Sequence, residues 1–141
     1  MFAILDTNHL RKLVSRTSAA GRRLRERIPA EKAAVFACIV TVEEDVRGWL
    51  ALLQRHTAGP AQVETYARMQ ESLEIVVKLG MLPFDDDAAQ IYSGLRRAFR
   101  RGGTMDLKIA AICLAHDATL LTRNDEDFTC LPGLRVENWL D

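Results

Sequence analysis

Short apolar runs alternate along the whole chain with longer segments whose apolar residues recur at helical spacing, and this alternation limits the fold more than any other feature. Phe2-Ala3-Ile4-Leu5 and Ala34-Val35-Phe36-Ala37-Cys38-Ile39 are compact enough for buried strands. Met81 to Phe84 fits a third strand, Ala118-Thr119-Leu120-Leu121-Thr122 a fourth, and Leu134 to Trp139 a last strand or edge. A helix is expected after the first strand, with Thr7 or Asn8 as its cap, and a second from Ser18 to about Ile28, closed by Pro29. Thr41 and Glu44 have capping-box spacing ahead of a stripe of Val46, Trp49, Leu50 and Leu53 that runs to the break at Gly59-Pro60. Further helices are expected from Ala61 to Lys78, from Asp85 to the arginines before Gly102-Gly103, and from Met105 to His116 behind a Thr104 cap. Asn124 to Phe128 is expected as a turn. Strands joined singly through helices imply an α/β sandwich: a central, mainly parallel sheet of about four to five strands, covered on both faces.

A chain of 141 residues fits one domain, spanning 1–141, with a real hydrophobic core, and an apolar content of 48% argues against disorder. Nineteen basic side chains balance nineteen acidic ones. No global positive field therefore draws a polyanion, and any nucleic-acid contact has to come from a local patch. Cys38, Cys113 and Cys130 are widely spaced and odd in number, which reads as buried thiols in a reducing compartment. The opening residues lack a basic lead, and no apolar stretch reaches the roughly 20 residues a membrane helix needs. A cytoplasmic protein with no membrane partner is the expectation.

In open α/β sheets, ligands sit beyond the carboxyl ends of the strands. Asp6 leaves the first strand, Glu43 and Glu44 follow the second, and Asn124, Asp125 and Asp127 follow the one ending at Thr122. Asp106 opens the Met105–His116 helix, which is otherwise apolar nearly all round, so it should lie close to the core. Taken singly, each has a plainer reading: a turn residue for Asp6, a capping partner for Glu44, a helix-dipole charge for Asp106, a solvated turn for Asp125 to Asp127. Taken together, convergent carboxylates repel one another and are kept side by side mainly where a hard cation neutralises them. Oxygen donors without cysteine or histidine select magnesium or manganese over zinc. His9, His56 and His116 have no zinc spacing and read as structural or surface groups; no nucleophile elbow or phosphate-binding loop is present.

These residues carry a family resemblance. Leu5-Asp6-Thr7-Asn8 resembles the first motif of PIN domains. Thr41-Val42-Glu43-Glu44-Asp45-Val46-Arg47-Gly48 resembles the second, Thr104-Met105-Asp106-Leu107-Lys108-Ile109-Ala110-Ala111 the third, and the block from Ala118 to Phe128 the fourth. The last block is similar to VapC-type toxins of toxin–antitoxin pairs. The chain departs from the pattern at Asp45, where an apolar residue is usual, and Glu43 adds a second glutamate beside Glu44.

The resemblance implies a PIN-like fold and a Mg2+- or Mn2+-dependent endoribonuclease that acts on structured RNA such as tRNA. It implies Asp6, Glu44 and Asp106 as the principal acids and metal ligands, completed by Asp127 or, second in order, Asp125, with Thr7, Asn8, Thr122 and Asn124 as polar support. It also implies a small antitoxin partner and a homodimer. The helix from Ala61 to Lys78 and the first two helices carry apolar residues beyond what the core needs, as contact surfaces do. Arg96, Arg97, Arg100 and Arg101 are expected to project in pairs along one helix side as RNA contacts, with Arg22, Arg23, Arg25 and Arg27 as a second basic cluster. A phosphatase of the haloacid-dehalogenase type is disfavoured by Asn8, which stands where a second aspartate is needed. A catalytically idle PIN-like interaction module is the stronger rival.

Overall fold

The structure is a computed structural model that describes residues 1–141. Strand β1 (Phe2–Leu5) leads through helices α1 (Thr7–Val14) and α2 (Ala19–Ala30) to β2 (Ala34–Cys38). Helices α3 (Ile39–Gln54) and α4 (Gly59–Leu79) follow, then β3 (Met81–Leu82), α5 (Asp86–Ala98) and α6 (Thr104–Ala115). Strand β4 (Thr119–Leu121), the short helix α7 (Asp125–Phe128) and β5 (Arg135–Glu137) complete the chain. The strands form one five-stranded sheet, ordered β3-β2-β1-β4-β5, and every neighbouring pair is parallel. The chain grows outward from β1 to β3 and then returns to the other side of β1 for β4. The reversal of strand order therefore falls between β1 and β4, which is where α/β sheets open a ligand crevice.

Side chains alternate across the pleat of β1, so Ile4 enters one core while Ala3 and Leu5 enter the other. Ile4 packs with Ala88 of α5, with Leu107, Ile109, Ala110, Ile112 and Cys113 of α6, and with Phe128. Ala3 and Leu5 pack with Leu10 of α1, Leu24 of α2, Val42 of α3 and Val76 of α4. Helices thus cover both faces, giving the three-layered α/β sandwich expected. Helix α6 is buried from Leu107 to Cys113 with only Lys108 less so, as an all-apolar helix has to be.

The structure corrects the expected element ends. Asp6, not Thr7 or Asn8, is the N-cap of α1. Strand β2 runs straight into α3 at Ile39, so Thr41 lies inside the helix and forms no capping box with Glu44; its hydroxyl donates instead to the Leu5 carbonyl at 3.2 Å. Pro29 stands within the last turn of α2, which ends one residue later. Pro60 opens α4 rather than breaking before it, where its missing N–H costs nothing. Gly103 is the N-cap position of α6, with Thr104 the first helical residue. Asp125–Phe128 is a short helix, not a plain turn. Cys38 and Cys113 are buried free thiols as expected, but Cys130 is exposed, because it follows Phe128, the residue of that segment that enters the core.

Candidate active site

One carboxylate joins the ends of β1 and β4, where the strand order reverses. Asp6 is only 6% exposed. Its Oδ1 accepts the Thr7 backbone N–H at 2.7 Å and its Oδ2 accepts the Thr122 hydroxyl at 2.6 Å. The Thr122 oxygen in turn accepts the Asn124 backbone N–H at 3.0 Å, so its proton is committed to Asp6. The Asp6 backbone N–H reaches the Leu121 carbonyl at 2.9 Å, which continues the β1–β4 pairing into the loop. Asp6 is thereby fixed at both oxygens, and its Thr122 partner lies 116 residues away in sequence.

Glu44 comes to this site from α3. Its Oε2 accepts the Thr7 hydroxyl at 3.2 Å, while its Oε1 is buried without a hydrogen-bond partner. Burial first, and then the Asp6 charge, raise the Glu44 carboxyl above the ordinary carboxylate range, with Asp106 and Glu43 adding smaller pushes and the Thr7 hydroxyl opposing them. Burial likewise raises Asp106, followed by the charges of Asp6 and Asp127. The Asp6 charge therefore acts on both Glu44 and Asp106, Asp106 acts on Glu44, and Asp127 acts on Asp106 alone. Of the alternatives, Glu43 is exposed and pairs with Arg47 at 2.7 Å, and Asp125, exposed like Asp127, accepts the Glu126 backbone N–H at 3.1 Å. Asn8 lies at intermediate depth in the first turn of α1, and Asn124 is the exposed N-cap of α7.

No three His, Cys, Asp or Glu side chains are already gathered into an ion-binding set. The donors nevertheless suit a hard cation: all are carboxylate oxygens, two have raised proton affinity because they are buried and face like charge, and one buried oxygen is orphaned. Asp6, Glu44 and Asp106 would be the residues to hold such an ion, which would neutralise their mutual repulsion.

The structure also corrects the arginine expectation. Helix α5 ends at Ala98, and Phe99, at φ −126 and ψ 65, turns the chain away before Arg100 and Arg101. The helical pairs Arg96–Arg100 and Arg97–Arg101 therefore do not exist. Arg96 donates to the Arg100 and Gly102 carbonyls at 3.0 and 3.1 Å, bracing the turn that follows its helix, while Arg97, Arg100 and Arg101 are exposed. In the second cluster, Arg23 binds the Leu140 carbonyl, Arg25 the Leu13 and Ser15 carbonyls, and Arg27 pairs with Glu31 beside the Trp139 ring. Only Arg22 of that group is uncommitted.

The sequence alone assigns Asp45 no role. It is 1% exposed and fully bonded: Oδ1 accepts Arg11 Nε at 3.3 Å, and Oδ2 accepts Trp49 Nε1 at 3.0 Å and Ser72 Oγ at 2.7 Å. Its only local signal is Trp49, one helical turn ahead; the other partners lie 27 and 34 residues away.

Comparisons with known proteins bear on this geometry. The family model of the PIN domain matches residues 3–133. Ribonuclease VapC5 of Mycobacterium tuberculosis is 31% identical over 134 residues, which span 92% of this chain and 87% of that protein. Among solved structures, VapBC2 from Rickettsia felis, bound to a DNA fragment from its promoter, superposes with a TM-score of 0.77 at 21% identity, covering 99% of both chains. VapBC-5 from Mycobacterium tuberculosis, a member of the VapBC family of toxin–antitoxin systems, gives 0.63 at 26% identity, covering 97% of this chain and 96% of that one.

Proposed function

The chain belongs to the PIN-domain family, and from that premise we propose that it is an endoribonuclease dependent on a divalent cation, acting as the toxin of a toxin–antitoxin pair. The reading is supported by Asp6 fixed at the strand-order reversal, with Glu44 sharing Thr7 with it and the charges of Asp6 and Asp127 acting on Asp106. Asp6 and Asp106 are the proposed principal ligands of Mg2+ or Mn2+, with Glu44 as third donor through its unpartnered oxygen and Asp127 at the rim. When bound, such an ion supplies Lewis acidity and charge neutralisation toward a phosphodiester. Thr7 and Thr122 fix the aim of Asp6, and Thr7 also holds Glu44. Asp127, exposed at the rim, is the group proposed to bind through water or to assist proton transfer. Asn8, in the first turn of α1, and Asn124, at the N-cap of α7, are the proposed polar support beside the crevice.

RNA is the proposed substrate, structured RNA such as tRNA in particular, gripped by Arg97, Arg100 and Arg101 while Arg96 shapes the loop that carries them. The proposed partners are a small antitoxin, as in the VapBC pairs, and a second copy of the chain. Helix α4 supports a protein partner of some kind: Val63, Tyr66 and Val77 stand exposed, and Tyr66, Met69, Leu73 and Val77 line an apolar groove of about 640 Å3. No helix is long and apolar enough to cross a membrane. The cytoplasm is the proposed location, where three free cysteines persist.

Incubating the protein with total cellular RNA, with Mg2+ or Mn2+ or with a chelator, tests this reading. Discrete cuts in the presence of the ion and none with the chelator are expected. RNA left intact under every condition puts an idle interaction module in its place.

A further inference from the structure

Asp45 is the one buried charge outside the carboxylate cluster, and it stands next to Glu44 on α3. A carboxylate taken out of water is costly unless its partners are fixed, and here they come from three helices: Arg11 of α1, Trp49 of α3 and Ser72 of α4. Arg11 lies over Gly48, where an added Cβ would sit 2.1 Å from its Nη2, so a side chain at this position would displace the guanidinium from the path it takes across α3. Thr7 and Arg11 are one turn apart on α1, as Glu44 and Gly48 are on α3. The two helices are therefore joined by two successive rungs, Thr7 to Glu44 and Arg11 to Asp45 across Gly48. The first rung belongs to the carboxylate site. The second is buried at its Asp45 end and half exposed at Arg11.

We propose that Asp45, through its bond to Arg11, is a positioning residue that locks α1 against α3 in the register that sets Glu44 on Thr7, facing Asp6. The 3.2 Å bond from the Thr7 hydroxyl to the partly buried Glu44 is a long one, and the Asp6 charge opposes the approach of Glu44. The Arg11–Asp45 rung holds the frame in which that tie forms. The Ser72 and Trp49 bonds fix Asp45 itself and join α4 to α3 without touching α1.

This inference rests on the nuclease reading only for its effect on turnover; the placement of Glu44 can be measured without metal or RNA. Asp45→Asn keeps an acceptor for Ser72 and Trp49 but presents its amide to Arg11, and Arg11→Met cuts the same rung from the other side. Each is expected to lose the nuclear Overhauser contact between the Thr7 and Glu44 side chains, to weaken Mn2+ binding by calorimetry, and to lower kcat about tenfold with KM within about twofold of wild type. The double variant is expected to be no worse than either single one, because both break one rung. Ser72→Ala is expected to lower the melting temperature and keep the Thr7–Glu44 contact. Persistence of that contact in Asp45→Asn and Arg11→Met, or losses that multiply in the double variant, overturns the proposal. Arg11, being half exposed, carries the decision if Asp45→Asn does not fold. Loss of the contact in these variants, with no RNA cut by the wild-type protein, upholds the register lock and removes the nuclease reading.

Discussion

The hydroxyl of Thr122 donates to Oδ2 of Asp6 at 2.6 Å, joining the end of β4 to the end of β1 where the strand order reverses. Because Thr122 also accepts the Asn124 N–H, its donor direction is set, and Asp6 meets a pre-aimed proton rather than a free rotor. One polar side chain at the close of a strand thus links the sheet's topology to the geometry of the carboxylate site.

Thr122→Val keeps shape and removes that donor. A buried carboxylate oxygen left without its partner costs roughly 1–3 kcal/mol. Urea denaturation should show a loss of that size, and cleavage should fall about tenfold or more as Asp6 loses its fixed orientation. A variant as stable and active as wild type would leave the bond without a function.

Glu44 and Asp106 both have raised proton affinity in the folded state. A carboxyl raised on folding favours the folded state at low pH, and that advantage is lost as pH rises through its folded midpoint. Without divalent ions at neutral pH, Glu44→Gln and Asp106→Asn should therefore be more stable than wild type, by an amount on the order of 1 kcal/mol or less given partial exposure. Added Mn2+ should stabilise wild type and narrow the gap. Calorimetric scans with and without Mn2+ decide; a lower melting temperature in both metal-free variants would mean that the acids do not strain the fold.

His9 is fully buried, accepting the Trp139 N–H at Nε2 over 3.1 Å and leaving Nδ1 unpartnered. Burial, with the Arg123 charge second and Asp141 opposing, lowers its pKa to about 4. The unfolded imidazole takes a proton near 6.5, so the stabilisation is full above that value and lost as pH falls toward about 4. The loss amounts to roughly 3 kcal/mol at most, at about 1.4 kcal/mol per unit. Denaturant midpoints across this window should fall for wild type and flatten in His9→Gln, whose side-chain oxygen can still accept from Trp139. An equal slope in the variant would assign the acid limb to other groups.

Arg97 and Arg101 are exposed, whereas Arg96 is engaged with the turn that follows its helix. Replacing both exposed residues by glutamine should weaken RNA binding and reduce the salt slope by up to about 1.4, from about 0.7 per single-strand phosphate contact. Filter binding at several salt concentrations measures this. Unchanged affinity and slope would return these arginines to a solubilising role.

The layers are legible in the sequence because strand and helix periodicities are local: Ile4 and Leu5 announce a strand buried on both faces, and the unbroken apolar run of α6 announces a covered helix. Asp6 and Asp106 stand out as candidates for a similar reason, since one caps the helix that leaves β1 and the other lies in the first turn of an otherwise apolar helix. What stays hidden is set by partners distant in sequence. Thr41 resembles a cap because Glu44 follows at capping-box spacing, but its hydroxyl spans 36 residues to Leu5. The arginines resemble a continued helix because arginine favours one, while the turn at Phe99 ends it. Asp45 is the sharpest omission: one acid among three neighbours, told apart only by Arg11 and Ser72 arriving from other helices.

Asp6 is the centre of the proposed chemistry, and single-turnover cleavage of one defined RNA by wild type and by Asp6→Asn, each with Mn2+ and with chelator, tests it most directly. The substitution removes the carboxylate charge but keeps the side chain's size, so the fold should persist, as circular dichroism can verify. Mn2+-dependent cleavage by wild type is predicted, with a rate at least about a hundredfold lower in the variant. Equal rates in the two proteins, or cleavage by wild type that survives the chelator, would contradict it.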